Sequence, residues 1–221
     1  MVDVFSFSSA VTVAVSRGAE VLPALSPEDA VARADAHREA LVLPGRRRPT
    51  PEGWSHSPKS LQTLLRGARL IYFSDNGGHC CARARRAARL LVGASINASA
   101  VAAAAVDLQE TLGLLVSVVA CGECWSRNGA LRPCLEDEMG AGAIISAMQL
   151  ETSPEAGAAA RTFESLRGSM IEPLRDCGSG RELRAIGFSD DVHLMAGVDT
   201  VEAVPLRGPD GWIRGCERGP G

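Results

Sequence analysis

A chain of 221 residues that is 46% hydrophobic and 22% charged can bury a sizeable core. Its net charge of −3 gives no electrostatic reason for nucleic-acid or membrane-surface binding, and no apolar run approaches the roughly 20 residues that span a bilayer. Seven irregularly spaced cysteines and no signal-peptide pattern point to a reduced, cytoplasmic protein, read as a single domain over residues 1–221.

Val2 to Phe5 reads as a short buried strand. Ser8 or Ser9 is expected to cap a helix that runs to about Arg17, with Gly18 as its stop. Glu20 to Ala24 is a strand. Ser26-Pro27-Glu28-Asp29 is a helix start: a serine cap, a proline in the first turn, then acids favoured by the helix dipole. That helix reaches about His37 and a strand follows at Leu41 to Leu43. Pro44 to Ser57 holds three prolines, two glycines and Arg46-Arg47-Arg48, which makes it a loop.

Ser57-Pro58 opens a short helix. Arg69 to Phe73 is a strand, Ser74 to Gly78 a turn and His79 to Arg89 a helix. Leu90 to Ala94 is a strand and Asn97 to Ala105 a helix of small residues. Leu114 to Ala120 is the most hydrophobic strand, leading to a helix from about Leu135 to Met148. Ser153-Pro154-Glu155 caps a helix to about Arg167. Ser179 and Ser189 cap two short helices with Gly187 between them, and Val201 to Leu206 pairs with Trp212-Ile213. Alternating strands and helices predict an α/β fold: a mainly parallel sheet with helices on both faces.

Chemistry is expected between Cys121 and Ile145, where a strand, a polar loop and a helix N-terminus bearing Glu136, Asp137 and Glu138 follow one another. Carboxylates there suit Mg²⁺, a cation of oxygen ligands, or simply stabilise the helix dipole. Adjacent helical residues point about 100° apart, so all three acids cannot reach one ion. Asp3, at the end of its strand, is either a metal-binding carboxylate or an exposed terminal residue. Ser8 and Ser9 either donate to a phosphate or cap their helix. Asn76 and Gly77, in Asp75-Asn76-Gly77-Gly78, offer donors to an anion or form an ordinary turn.

Arg132, just before the acids, is the better candidate for a phosphate or sulfonate, because arginine pairs such groups bidentately. Arg46 to Arg48 reads as a solvated loop, and His37 and His193 as surface or core histidines. Cys121-Gly122-Glu123-Cys124 has the spacing of a thiol pair or half a zinc site, but no second such pair exists in the sequence. Incidental cysteines are the simpler reading.

Several segments together resemble the 2-phosphosulfolactate phosphatase family. They are residues 3–11 (DVFSFSSAV), Arg17-Gly18-Ala19, Asn76-Gly77, Val92-Gly93 with residues 97–101, and Leu131 to Asp137 leading to Gly140–Ile145. Ser179–Leu183, Gly187-Phe188, Asp191-Val192 and Val204-Pro205 complete the series in order. The resemblance implies an α/β fold of two interlocked parts. It also implies Mg²⁺-dependent hydrolysis of a small anionic phosphorylated substrate, 2-phosphosulfolactate, to sulfolactate and phosphate, a step toward coenzyme M. It would assign Asp3, Glu136 and Asp137 to the metal and the chemistry. Ser8, Ser9, Asn76, Gly77 and Arg132 would fall to the substrate.

The family carries a segment before the Asp3 match, so the chain is expected to be N-terminally short. Ser6 stands where many members have arginine, and Gly45-Arg46-Arg47-Arg48 lacks the family's acid. A member that binds an anionic metabolite without hydrolysing it is the rival expectation, and a thiol redox protein using Cys121 and Cys124 a third. The small-residue faces at Asn97–Ala105 and Gly140–Ala147 would permit packing between subunits in a homo-oligomer.

Overall fold

The computed structural model describes residues 1–125 and 127–216. In chain order its elements are α1 (Phe7–Ser16), β1 (Glu20–Ala24), α2 (Pro27–Ala36), β2 (Leu41–Val42), α3 (Pro58–Leu61), β3 (Arg69–Phe73) and α4 (Gly77–Arg83). Then come α5 (Ala98–Leu112), β4 (Glu123–Cys124), β5 (Leu131–Arg132), α6 (Leu135–Met148), α7 (Pro154–Leu166) and α8 (Ile171–Asp176). The chain closes with α9 (Gly178–Ala185), α10 (Ser189–Met195), β6 (Pro205–Arg207) and β7 (Ile213–Gly215).

The serine-proline starts behave as the sequence predicts. Ser26, Ser57 and Ser153 each accept a bond from the amide three residues on (Asp29, Ser60 and Ala156), and each is followed by proline. Such a cap stabilises a helix by about 1 kcal/mol. Three other expected caps move. Ser8 and Ser9 lie inside α1, whose first flanking residue is Ser6. Ser179 lies inside α9, which Cys177 caps by accepting from the Gly180 amide, and Ser189 is the first residue of α10.

The main sheet has the order β2-β3-β1-β7-β6. β2, β3 and β1 run parallel, in register Leu41↔Leu70 and Glu20↔Arg69, while β7 and β6 are antiparallel additions. The fold is α/β with a mixed sheet. Three segments read as strands survive only as bridges: Val2 pairs with Gly93 and Ala120, and Leu91 with Leu206. The Val2 contacts still fix the N-terminus between two segments remote in sequence. The Val2 amide donates to the Val119 carbonyl, and the Cys121 amide returns to Val2 O.

Leu114 to Val119 is a different matter. Its apolar side chains are largely exposed, Leu115 at 96%. The hydrophobic run expected at the heart of the sheet instead lines one rim of the molecule.

Helix α6 is held between the N-terminal segment and α7, and its glycines show how closely. A Cβ on Gly140 would sit 2.6 Å from Val4 Cγ2, and one on Gly142 2.2 Å from the Ala159 carbonyl oxygen. The small-residue face of α6 is therefore spent inside the chain, not left open for another subunit. This packing brings the acids of its first turn against Asp3 and Val4. No helix among the described residues is long and apolar enough to cross a membrane.

Candidate active site

Asp3 lies on the turn between Val2 and α1, and the segment's own geometry holds it. The Ser8 hydroxyl accepts from the Asp3 amide at 2.9 Å, and the Ser9 hydroxyl donates to the Val4 carbonyl at 2.9 Å. Both serines are fully buried. They therefore brace the turn that presents Asp3. The Asp3 carboxylate accepts from the Phe7 amide (3.3 Å) and, across the fold, from the Gly77 amide (2.9 Å). Gly77 must be glycine there: a Cβ would lie 2.6 Å from Phe7 Cβ and 2.7 Å from Asp3 Oδ2.

Asp137, in the first turn of α6, is tied the same way. One oxygen accepts from the Val4 amide at 2.7 Å and the other from the Gly122 amide at 2.8 Å. Glu136 is also buried, and its Oε2 receives the Cys177 thiol at 3.4 Å. Glu138 is exposed and stands outside the cluster.

A fourth acid is one the sequence reading passed over. Glu123, on β4, accepts from Asn76 Nδ2 at 2.7 Å and from the Cys124 amide at 2.8 Å, both through Oε1. Its place inside a two-cysteine motif drew attention to the thiols instead. The sequence signal was available: an acid flanked by glycine in the loop feeding the acidic helix. Asn76 and Gly77, read as donors for an external anion, thus spend these bonds on Glu123 and Asp3.

Burial first, then the fields of Glu123 and Glu136, push the Asp3 carboxyl up to about 6 against the lowering effect of its two amide partners. Asp137 is also raised well above the usual carboxylate range, by burial and then by Asp3. Four carboxylates with mutual repulsion and little water form a region that favours positive charge. Among the described residues, no three Asp, Glu, His or Cys side chains converge as a ready-made ligand set.

Arg132 borders this cluster. It sits on β5 directly opposite Glu123 in the ribbon register. Its Nη2 donates to Glu182 (3.1 Å) and Ser179 (3.3 Å), its guanidinium lies 5.2 Å from the Trp125 ring centroid, and its buried Nε has no partner. A Cβ on Gly178 would meet Arg132 Nη1 at 2.5 Å, so the start of α9 is shaped around the guanidinium.

Among the described residues no disulfide links the cysteines. Cys124 is exposed, and the thiol next to Cys121 is that of Cys80. That contact lowers the Cys80 thiol to about 7 and, with burial, raises Cys121. Two cavities, of about 390 and 580 Å³, lie apart from the carboxylates. The first is an apolar groove along Leu114–Val119, and the second is edged by Arg85, Arg89 and Arg207. Neither is lined by Asp3 or Asp137.

The 2-phosphosulpholactate phosphatase family matches residues 1–208. The chain is 30% identical over 210 residues to a protein of Gloeobacter violaceus named "Probable 2-phosphosulfolactate phosphatase", covering 92% of this chain and 85% of that one. It is 31% identical over 208 residues to the "2-phosphosulfolactate phosphatase" of Methanothermobacter thermautotrophicus, covering 93% and 84%. A Symbiobacterium thermophilum protein with the "Probable" form of the name is 28% identical over 217 residues, covering 93% and 89%.

Proposed function

Because the chain belongs to the 2-phosphosulpholactate phosphatase family, we propose that it hydrolyses the phosphate monoester of 2-phosphosulfolactate, or a closely related phospho-acid, with Mg²⁺. The observation that carries this reading is the packing of Asp3, Glu123, Glu136 and Asp137 around one turn, with Arg132 at its edge.

The donor chemistry fits magnesium. Mg²⁺ takes oxygen ligands and commonly uses one or two carboxylates, filling its other positions with water and substrate phosphate oxygens. Asp3 and Asp137 would hold it, with Glu136 beside them. Each Asp3 and Asp137 oxygen that accepts one amide keeps a second lone pair. The cation would supply charge neutralisation on the phosphoryl group.

The chain's own residues do the rest. The amides of Val4, Phe7, Gly77 and Gly122 fix the two aspartates, so no reorganisation is needed as charge develops. Arg132 receives phosphate oxygens through the N–H groups its present partners leave idle. Glu123, half-buried and anchored through one oxygen, is the carboxylate placed to take the proton of an attacking water.

The test is phosphate release from synthetic 2-phosphosulfolactate by the chelator-treated protein, before and after Mg²⁺ is restored. Release that returns with Mg²⁺ is expected. Binding of the substrate without release under either condition would establish a binding protein instead.

A further inference from the structure

Among the described residues, three buried side-chain polar atoms have no hydrogen-bond partner: Thr12 Oγ1, Arg132 Nε and Arg46 Nη2. Buried polar atoms are nearly always paired, so each orphan calls for a cause. Thr12 lies within the buried face of α1. Arg132 belongs to the phosphate reading above. Arg46 is the third, and it lies in the stretch expected to be a solvated loop.

The structure buries most of Arg46 and holds it still. Its side chain is 13% exposed and its Nε donates to Asp191 Oδ2 at 3.1 Å. Asp191 is buried, and its other oxygen accepts from the Ser57 hydroxyl at 2.6 Å and the Lys59 amide at 3.3 Å. The guanidinium also lies 5.9 Å from the Phe188 ring centroid. An arginine carries five donors in a planar fork, and one shared carboxylate leaves part of that fork idle.

What stands between Arg46 and the carboxylates is uncharged. The Tyr72 hydroxyl lies in the fields of Arg46, Asp3 and Asp191; burial holds it protonated, pushed up to about 12. His56, 4.4 Å from the Tyr72 ring, is pushed down to about 4 by burial and by Arg46, and is neutral. Tyr72 also packs 5.0 Å from Phe7, on the turn that presents Asp3. A fixed guanidinium with an idle N–H, next to neutral neighbours and the Asp3 turn, is built for an anion that arrives with the substrate.

We propose that Arg46 binds a second acidic group of the substrate, a sulfonate or carboxylate on the small molecule whose phosphate Arg132 and the acid cluster receive. This rests on the phosphatase reading.

Calorimetry with two separate probes tests it: sulfolactate, which has the acids but no phosphate, and inorganic phosphate. The variants are Arg46→Met and Arg46→Lys, the latter keeping the charge beside Asp191 but losing the planar fork. Both are expected to weaken sulfolactate by about tenfold or more and to change phosphate by less than about twofold. KM for 2-phosphosulfolactate should rise in parallel.

Equal weakening of both probes, no weakening of either, or wild-type protein that does not bind sulfolactate would each overturn the proposal. An Arg46→Lys protein that melts with the wild type and binds sulfolactate equally well would mark the Asp191 pair as structural only. Failure of wild-type turnover would defeat the phosphatase reading by itself, and the sulfolactate titrations would still judge Arg46.

Discussion

The aspartates and the arginines of this site are built on opposite plans. Asp3 and Asp137 have every carboxylate oxygen bonded to a backbone amide. Arg46 and Arg132 each keep a buried N–H with no partner. The acids are held by main chain from three separate stretches, so their position is a property of the fold. The guanidinia are held by side chains and left incomplete. On the proposed reading, the groups that must not move are completed inside the protein, and the groups left incomplete are those a ligand completes.

The sharpest way to break this contrast is to remove an acid. Asp3→Asn and Asp137→Asn should each lower kcat by about 10³-fold or more while the folded protein persists, measured by phosphate release. Arg132→Met should act differently, raising KM by roughly ten- to a hundredfold with a smaller change in kcat. If both classes of variant altered KM and kcat in the same ratio, the distinction between fixed acids and receiving arginines would be lost.

A third change acts on the acids through the backbone. Gly77→Ala puts a methyl against Phe7 and Asp3 Oδ2. It should cost about 1–3 kcal/mol of stability, read from the urea midpoint, and lower activity through displacement of Asp3. Unchanged stability and activity would show that the Gly77 amide does not hold Asp3.

The smallest effect is in pH, where two buried groups oppose each other. Asp3, raised to about 6, keeps its proton in the folded state after the unfolded chain has lost it. Stability from this group therefore falls as pH rises from about 4 to about 6. His56, lowered to about 4, stays neutral while the unfolded chain takes up a proton below about 6.5. Its contribution rises over nearly the same window. Each shift corresponds to up to about 3 kcal/mol, so these two offset each other in the wild type, while Asp137, also raised, adds to the fall. Relative to the wild type, Asp3→Asn should gain stability from pH 4 to 6, and His56→Phe should lose it, in metal-free urea titrations. Parallel curves for all three proteins would refute the assignment.

How much of this was legible in the sequence depended on how local the signal was. β1 and β3 were predicted residue for residue, because short apolar runs bounded by polar turns need no tertiary help to be recognised. Leu114–Ala120 carried the same signal and stayed almost unpaired, because strand propensity cannot say whether a partner lies on either side. Asp3, Glu136 and Asp137 stood out as acids beside apolar runs. Glu123 was hidden by the cysteines flanking it. Arg46 was hidden among three consecutive arginines, of which only tertiary contact with Asp191 selects the first.

The most direct test of the central claim is calorimetric titration of Mg²⁺ into the wild type and Asp137→Asn, followed by phosphate release from 2-phosphosulfolactate by each. The account predicts Mg²⁺ binding and Mg²⁺-dependent release by the wild type, with both lost in the variant. Equal Mg²⁺ binding and equal release by the two proteins would contradict it and move the reaction away from the acid cluster.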